Sequence, residues 1–300
     1  MRPLLDRLRA GDLVVGDGAW GTMLIARGLR PGTSPESYNL ERPEVLEEIA
    51  SLYLEAGAEM VTTNTFGGSP LRLRPYGLEH ETERINRTAV AAVRRAAGDR
   101  AYVSASIGPS GRLLKPFGDA EPSEIAESFA AQARILCEAG VDLFCVETMT
   151  DLAEARLAVA AARAVAPDLP IIATITFETT RRGFRTVMGV SIEEAAAGLP
   201  EAGADILGSN CGNGIEVMVP IAQAFRACTA LPLSIRANAG LPESRQGALV
   251  YPESPGFFAG RVARLREAGV QIIGGCCGTT PEHVRAMRHA ADATRAAGAT

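Results

Sequence analysis

EAGAEM at 55–60, EAGVDL at 138–143, EAGADI at 201–206 and EAGVQI at 267–272 are four copies of one joint. In each, an amphipathic stretch stops at a glycine and a short apolar run begins. Glycine is the residue that ends a helix in the left-handed conformation without a Cβ penalty. Each copy therefore reads as the end of a helix and the start of a strand, the even-numbered strand in every case. Between the copies lie the odd-numbered strands. The full set of apolar runs is LVVGDG (13–18), MVTTNT (60–65), YVSASIG (102–108), LFCVET (143–148), IIATITF (171–177), ILGSNC (206–211), LPLSIRANA (231–239) and QIIGGCC (271–277). Each is short and rich in β-branched residues, as a buried parallel strand requires.

The segments between these runs carry apolar residues at i, i+3, i+4 and i+7 and predict helices over 42–57, 80–97, 122–140, 151–165, 191–203, 214–227, 254–269 and 281–296. The 191–203 stretch is the weakest, with Pro200 inside it. Asp151 and Ser191, each followed three residues on by Glu154 and Glu194, predict capping boxes, and Thr280 before Pro281 predicts the cap of the last helix. Eight strands alternating with eight helices, in a chain of 300 residues without room for a second core, predict one (β/α)8 TIM barrel over residues 1–300. An open doubly wound sheet is the competing arrangement. Eight units suit a barrel better, and no GxGxxG opens the first of them.

Composition sets the outer bounds. The net charge of −5 gives no reason to expect nucleic acid or an acidic membrane as a partner. MRPLLDRLRAGDLVV lacks the apolar core of a signal peptide, and no run of about 18 apolar residues predicts a membrane span. A cytoplasmic protein is expected. Its six cysteines (137, 145, 211, 228, 276 and 277) read better as metal-binding or reactive groups than as a disulfide framework.

A barrel puts its chemistry at the C-terminal ends of its strands. There the sequence places Asp17, Asn64, Thr65, Ser106, Glu147, Asn210, Cys211, Asn238, Cys276 and Cys277. Cys211 closes strand 6, and Cys276 with Cys277 closes strand 8, so three thiolates can meet at one point. Three protein ligands with an open fourth position is the arrangement of catalytic zinc, and sulfur ligation favours zinc over magnesium or calcium. Adjacent cysteines on a regular strand point to opposite faces, so both reach one metal only if the backbone bends; the glycines of GGCCG permit that. A vicinal disulfide and an iron–sulfur cluster are the alternatives for the pair, the latter without CxxC spacing to support it. Cys137, Cys145 and Cys228 read as core residues. Zinc held by three thiolates is a poor activator of water and a good receptor for a substrate thiol, so the site suggests alkyl transfer to sulfur.

The other rim residues admit two readings each. Asp17 in GDGAWGT receives an ammonium or braces a turn, while the amides from Gly18 onward can hold a carboxylate. Glu147 binds an amine or a barrel neighbour. Asn210 and Asn238 donate to a substrate carboxylate or fill the vacant metal position. Arg181, Arg182 and Arg185 contact an anionic donor or a partner protein, or form a solvated charge run. His80, His283 and His289 fall on helices and are assigned neither to metal nor to catalysis.

Seven motifs in order, GDGAWGTML (16–24), TTNTFGGS (62–69), ASIGPSG (105–111), ETMTDLAEA (147–155), GSNCGNG (208–214), ANAGLP (237–242) and GGCCGTTPEHV (274–284), resemble the homocysteine S-methyltransferase family over nearly the whole chain. The branch most similar is the homocysteine-binding module of cobalamin-dependent methionine synthase. The resemblance implies that Cys211, Cys276 and Cys277 bind zinc, with homocysteine sulfur as fourth ligand. It implies that Asn238 takes that place when substrate is absent. It also implies that Asp17, Thr63 and Glu147, helped by amides near Gly18, recognise the amino-acid end of the substrate. Trp20 departs from the methionine or phenylalanine expected there. The segment ends without a folate- or corrinoid-binding domain, so an excised module, a corrinoid partner protein carrying methylcobalamin, or a small sulfonium donor is expected. Another small thiol acceptor, or a homocysteine-binding subunit of a multi-protein corrinoid system, are the alternative readings.

Overall fold

The structure is a computed structural model that describes residues 1–245 and 248–297. Its eight parallel strands are β1 (Val14–Val15), β2 (Met60–Thr62), β3 (Tyr102–Ile107), β4 (Leu143–Met149), β5 (Ile171–Ile175), β6 (Ile206–Gly214), β7 (Leu233–Asn238) and β8 (Val270–Gly275). Each neighbours the next in sequence, and β8 returns to pair with β1. A bridge between Gly16 and Met60 joins β1 to β2, with Asp17 N–H donating to Met60 O at 3.0 Å, and closes the ring. The (β/α)8 barrel expected from the four joints is the fold. The helices around it are α1 (Pro43–Glu55), α2 (Thr82–Ala97), α3 (Pro122–Glu138), α4 (Leu152–Val165), α5 (Ile192–Ala202), α6 (Ile215–Cys228), α7 (Pro255–Glu267) and α8 (Pro281–Ala297).

The joints work as their sequence implies. Gly57, Gly140, Gly203 and Gly269 all have φ between 80° and 110°, where a Cβ would be strained. Two residues after three of these glycines stands an acid. Glu59, Asp142 and Asp205 accept an amide from the first or second residue of the preceding odd strand, Val15, Val103 and Ile171. Each also pairs with an arginine: Arg7 and Arg288, Arg94, and Arg163 respectively. The fourth copy carries Gln271, which donates instead to Leu8 O. These contacts pin strand starts on the face opposite the strand ends, where barrels are stabilised.

Two apolar cores divide the work. The larger fills the space between strands and helices. The smaller lies inside the barrel and comprises Val14, Met60, Tyr102, Leu143, Cys145, Ile172, Ile206 and Ile272, plugged from below by Leu4 and Leu8 of a short N-terminal helix. The barrel's interior is thus apolar at the strand starts and polar at the strand ends. Cys145 belongs to this inner core and Cys137 packs against the outer one, as expected. Cys228 does not: it ends α6 on the solvent side and is exposed.

The capping box at Ser191 and Glu194 is complete. The one expected at Asp151 is half formed. Asp151 caps Ala153 N–H, but Glu154 turns inward and takes both the amide and the hydroxyl of Ser110, at 2.8 and 2.6 Å. It ties the 108–111 loop to α4 instead of its own helix. At the last helix the Thr280 hydroxyl meets Glu282 and His283 rather than a helix amide. His283 Nδ1 accepts the Thr280 amide at 3.1 Å, and its Nε2 meets Glu253 O at 2.9 Å, so this histidine braces the 253 loop. Among the described residues no helix is long and apolar enough to cross a membrane.

Candidate metal centre and acceptor pocket

Two irregularities at the strand ends build the site. Along β4 and β5 the register advances from Val146↔Ala173 to Met149↔Ile175, so β4 holds one extra residue. Along β6 and β7 it advances from Asn210↔Arg236 to Gly214↔Asn238, so β6 holds two. Bulges of this kind re-aim side chains and recur beside active sites. They contain Thr148 at φ 61° and Cys211 at φ 60°, the two non-glycine residues with positive φ among those described. Such a conformation is strained for any side chain, and more so for a β-branched one.

Asn210 holds both bulges. Its Oδ1 accepts Thr148 N–H at 2.8 Å and Thr174 Oγ1 at 2.7 Å. Its Nδ2 donates to Thr148 Oγ1 at 2.7 Å and reaches Glu147 Oε2 at 3.5 Å and Cys276 Sγ at 3.9 Å. One amide therefore sets the positions of a carboxylate, a strained threonine and a thiol.

The bulge on β6 swings Cys211 toward the end of β8. There the strand stops at Gly275, and the chain turns back through Cys276 and Cys277, with Thr279 N–H closing on Cys276 O at 3.1 Å. This turn is the backbone bend that two adjacent cysteines need in order to face one point. Gly275 and Gly278 make it possible: a Cβ on the first would meet Thr279 Oγ1 at 2.1 Å, and one on the second would enter the Tyr251 ring. The three sulfurs lie within 4.8 Å of one another, with Cys211 and Cys277 at 4.0 Å. Hydrogen bonds from Cys276 and Cys277 hold the Cys211 thiol well below its ordinary range, and the shared protons keep the other two above theirs. Hydrogen bonding within the trio therefore favours negative charge on Cys211 over the other two. Asn238 lies against Cys211, and its buried Oδ1 finds no hydrogen-bond partner among the described residues. Three convergent sulfurs and an orphaned oxygen fit a tetrahedral, thiophilic metal ion.

A cavity of about 310 Å³ opens onto the sulfurs. Of the residues singled out in the sequence, Gly18, Trp20, Thr63, Asn64, Ser106, Glu147, Cys211, Cys276 and Cys277 line it. Asp17, Asn210 and Asn238 do not; they hold residues that do. Thr63 spends its hydroxyl on Thr65 at 2.7 Å. Glu147 is buried, accepts the Ser106 hydroxyl on Oε1, and has its carboxyl pushed up by burial against the pull of Arg236. Asp17 is wholly buried. It accepts Thr62 N–H and Trp20 Nε1 at 2.8 Å on Oδ2, and Thr62 Oγ1 and Arg236 Nη2 on Oδ1.

Arg236 was legible in the sequence and not singled out. A charged residue in LPLSIRANA, two before Asn238, has to face the barrel interior with it. Thr148 and Tyr251 carry no such mark; the first is placed by a bulge and the second by a loop returning from α7's side. Arg181 and Arg182 sit on an exposed hairpin, 178–185, and Arg185 pairs with Glu194 at 3.5 Å.

Residues 14–291 match the sequence profile of the homocysteine S-methyltransferase family. The chain belongs to that family. It is 34% identical over 301 residues to methionine synthase of Mycobacterium tuberculosis, covering 94% of this chain and 25% of that protein, so it spans about a quarter of this relative's length. In three dimensions it resembles the homocysteine methyltransferase MmuM from Escherichia coli. The metallated form matches with a TM-score of 0.80 and 23% identity, over 96% of this chain and 99% of the other. The oxidized form matches with a TM-score of 0.79 and 25% identity, over 96% and 98%.

Proposed function

We propose that this chain is a zinc-dependent S-methyltransferase that makes methionine from homocysteine, with residues 1–300 acting as one homocysteine-binding barrel. The observation that carries the reading is the convergence of three thiols, within 4.8 Å, beneath a cavity sized for a small amino acid. Cys211, Cys276 and Cys277 would hold the ion, and Asn238, whose buried Oδ1 is unpartnered among the described residues beside Cys211, would fill the fourth, exchangeable position. When bound, zinc would supply the charge that keeps an incoming thiol deprotonated near neutral pH. The chain's own residues do the rest. Glu147 receives the acceptor's ammonium, and the amides from Gly18 onward receive its carboxylate. Trp20 and Phe66 wall the cavity against water. Asn210 keeps Glu147 and Cys276 in register. The acceptor's thiolate then displaces the donor in line: a C–S bond forms as the methyl–donor bond breaks, and the electron pair leaves with the donor. No residue has to act as general base.

The donor we propose is methylcobalamin carried by a partner protein. Apart from Met1, the large apolar side chains exposed among the described residues are Ile25, Tyr76, Leu113, Phe117, Val187, Leu241 and Leu249. All seven lie in segments that follow strand C-termini, on the side where the cavity opens. An apolar surface concentrated on one face marks a contact with another macromolecule. A second reading is a small sulfonium donor that enters the same cavity without a partner protein. Free cysteines suit a reducing cytoplasm.

The test is a zinc-edge absorption spectrum of the metal-loaded protein with and without homocysteine. A rise from three sulfur neighbours to four supports the reading. An unchanged spectrum overturns it in favour of a structural metal. Turnover with protein-borne methylcobalamin, with a sulfonium and with a panel of other thiols then separates the donors and acceptors.

A further inference from the structure

The buried guanidinium of Arg236 has no part in the transfer described above. It crosses the barrel interior, lines the cavity alongside Glu147 and is 3% exposed. Gly274 makes room for it: a Cβ there would lie 3.2 Å from its Nε. Nη2 pairs with Asp17. Nη1 faces Glu147 Oε2 at 3.8 Å, too far for a hydrogen bond, and neither Nη1 nor Nε has a hydrogen-bond partner among the described residues.

The two carboxylates around it are unequal. A carboxylate has about four lone-pair positions. Asp17 has all four engaged, by Thr62 twice, Trp20 and Arg236, and it does not line the cavity. Glu147 lines the cavity, and among the described residues its Oε2 has only long contacts, from Asn210 at 3.5 Å and Arg236 at 3.8 Å. Of these two carboxylates, a substrate ammonium therefore finds only Glu147 open. Charge agrees with geometry: Glu36 and Arg72, which also line the cavity, offset each other, and Asp17, Glu147 and Arg236 leave a single negative charge, which one ammonium neutralises.

We infer that Arg236 is a specificity-determining positioning residue: it closes Asp17, leaves Glu147 as the carboxylate offered to the acceptor, and sets the pocket to take thiols bearing a single ammonium group. This deepens, and rests on, the homocysteine reading. Without the guanidinium the pocket carries one more negative charge. Thiols bearing a carboxylate are then repelled, and thiols bearing an ammonium are drawn in more strongly.

The experiment is calorimetric binding to the zinc-loaded protein of three thiols: homocysteine, 3-aminopropane-1-thiol and 4-sulfanylbutanoate. The last two keep the ammonium alone and the carboxylate alone. Arg236→Met is expected to raise the affinity ratio of the ammonium thiol over the carboxylate thiol at least about tenfold, the order that one unit charge imposes at close range. Arg236→Lys is expected to restore it. Glu147→Gln is expected to cost the ammonium thiol at least about tenfold more than Asp17→Asn does. A ratio unmoved by Arg236→Met, with both thiols weakened alike, would reduce Arg236 to packing and overturn the inference. So would a larger loss from Asp17→Asn than from Glu147→Gln, a comparison that stands even if Arg236→Met does not fold. A wild-type protein that binds none of the three thiols sinks the homocysteine reading itself.

Discussion

Replacing Asn210 by alanine tests the site's construction most directly. The side chain makes three short hydrogen bonds, to Thr148 N, Thr148 Oγ1 and Thr174 Oγ1, at 2.7–2.8 Å. At about 1 kcal/mol each, their loss costs about 3 kcal/mol. The Thr148 amide is left without its acceptor in a bulge, which adds about 1–2 kcal/mol. Release of the strained Thr148 backbone returns about 1 kcal/mol. The net expectation is a destabilisation of about 3–4 kcal/mol, or a melting temperature lower by roughly 6–15 °C for a domain of this size. Zinc affinity should fall about 10–100-fold, as it does when a partner of a metal ligand is removed, because Cys276 loses its amide contact. Thr148→Gly is the control. Glycine adopts φ 61° freely and forfeits one hydroxyl contact, so its cost should stay within about 1 kcal/mol. Scanning calorimetry and chelator competition read both effects. An Asn210→Ala protein that melts within about 2 °C of wild type and keeps its zinc affinity would refute the claim that one amide positions both bulges.

Other expectations follow from the same structure. Serine at Cys211, Cys276 or Cys277 should abolish zinc binding and methyl transfer together, measured by metal content and turnover; full activity in metal-stripped protein would defeat the mechanism. Burial pushes the His283 imidazole below its ordinary value of 6.5, so its neutral form is the folded one. Its contribution to stability is then complete above pH 6.5 and lost as pH falls through the lower folded value. The melting temperature should drop over that acid range, and His283→Gln should flatten the drop; equal slopes would contradict it. Aspartate at Phe117, which is 75% exposed, should slow transfer from protein-borne methylcobalamin at least about tenfold and spare transfer from free methylcobalamin. Equal rates from the protein-borne donor would argue for the small-donor reading.

The four EAG joints settled the architecture from sequence because their signals are local. A glycine at a helix end, an apolar run after it and a repeat of the pair need no knowledge of distant residues. The same reasoning placed Cys211, Cys276 and Cys277 on one rim, since strand ends in a closed barrel converge. What it did not supply was the mutual arrangement of their neighbours. Asp17 looked equivalent to Glu147, and the fold makes it a buried anchor for Trp20, Thr62 and Arg236. Glu154 looked like half of a capping box, and the loop after the neighbouring strand β3 claims it. The bulges at Thr148 and Cys211 depend on register between strands that are distant in sequence, and Asn210 binds a residue 62 positions before it. Short-range periodicity determined the barrel and the thiol cluster. Long-range hydrogen bonding and charge pairing, which exist only after the strands close, decided that Glu147 lines the cavity while Asp17 is buried beside it.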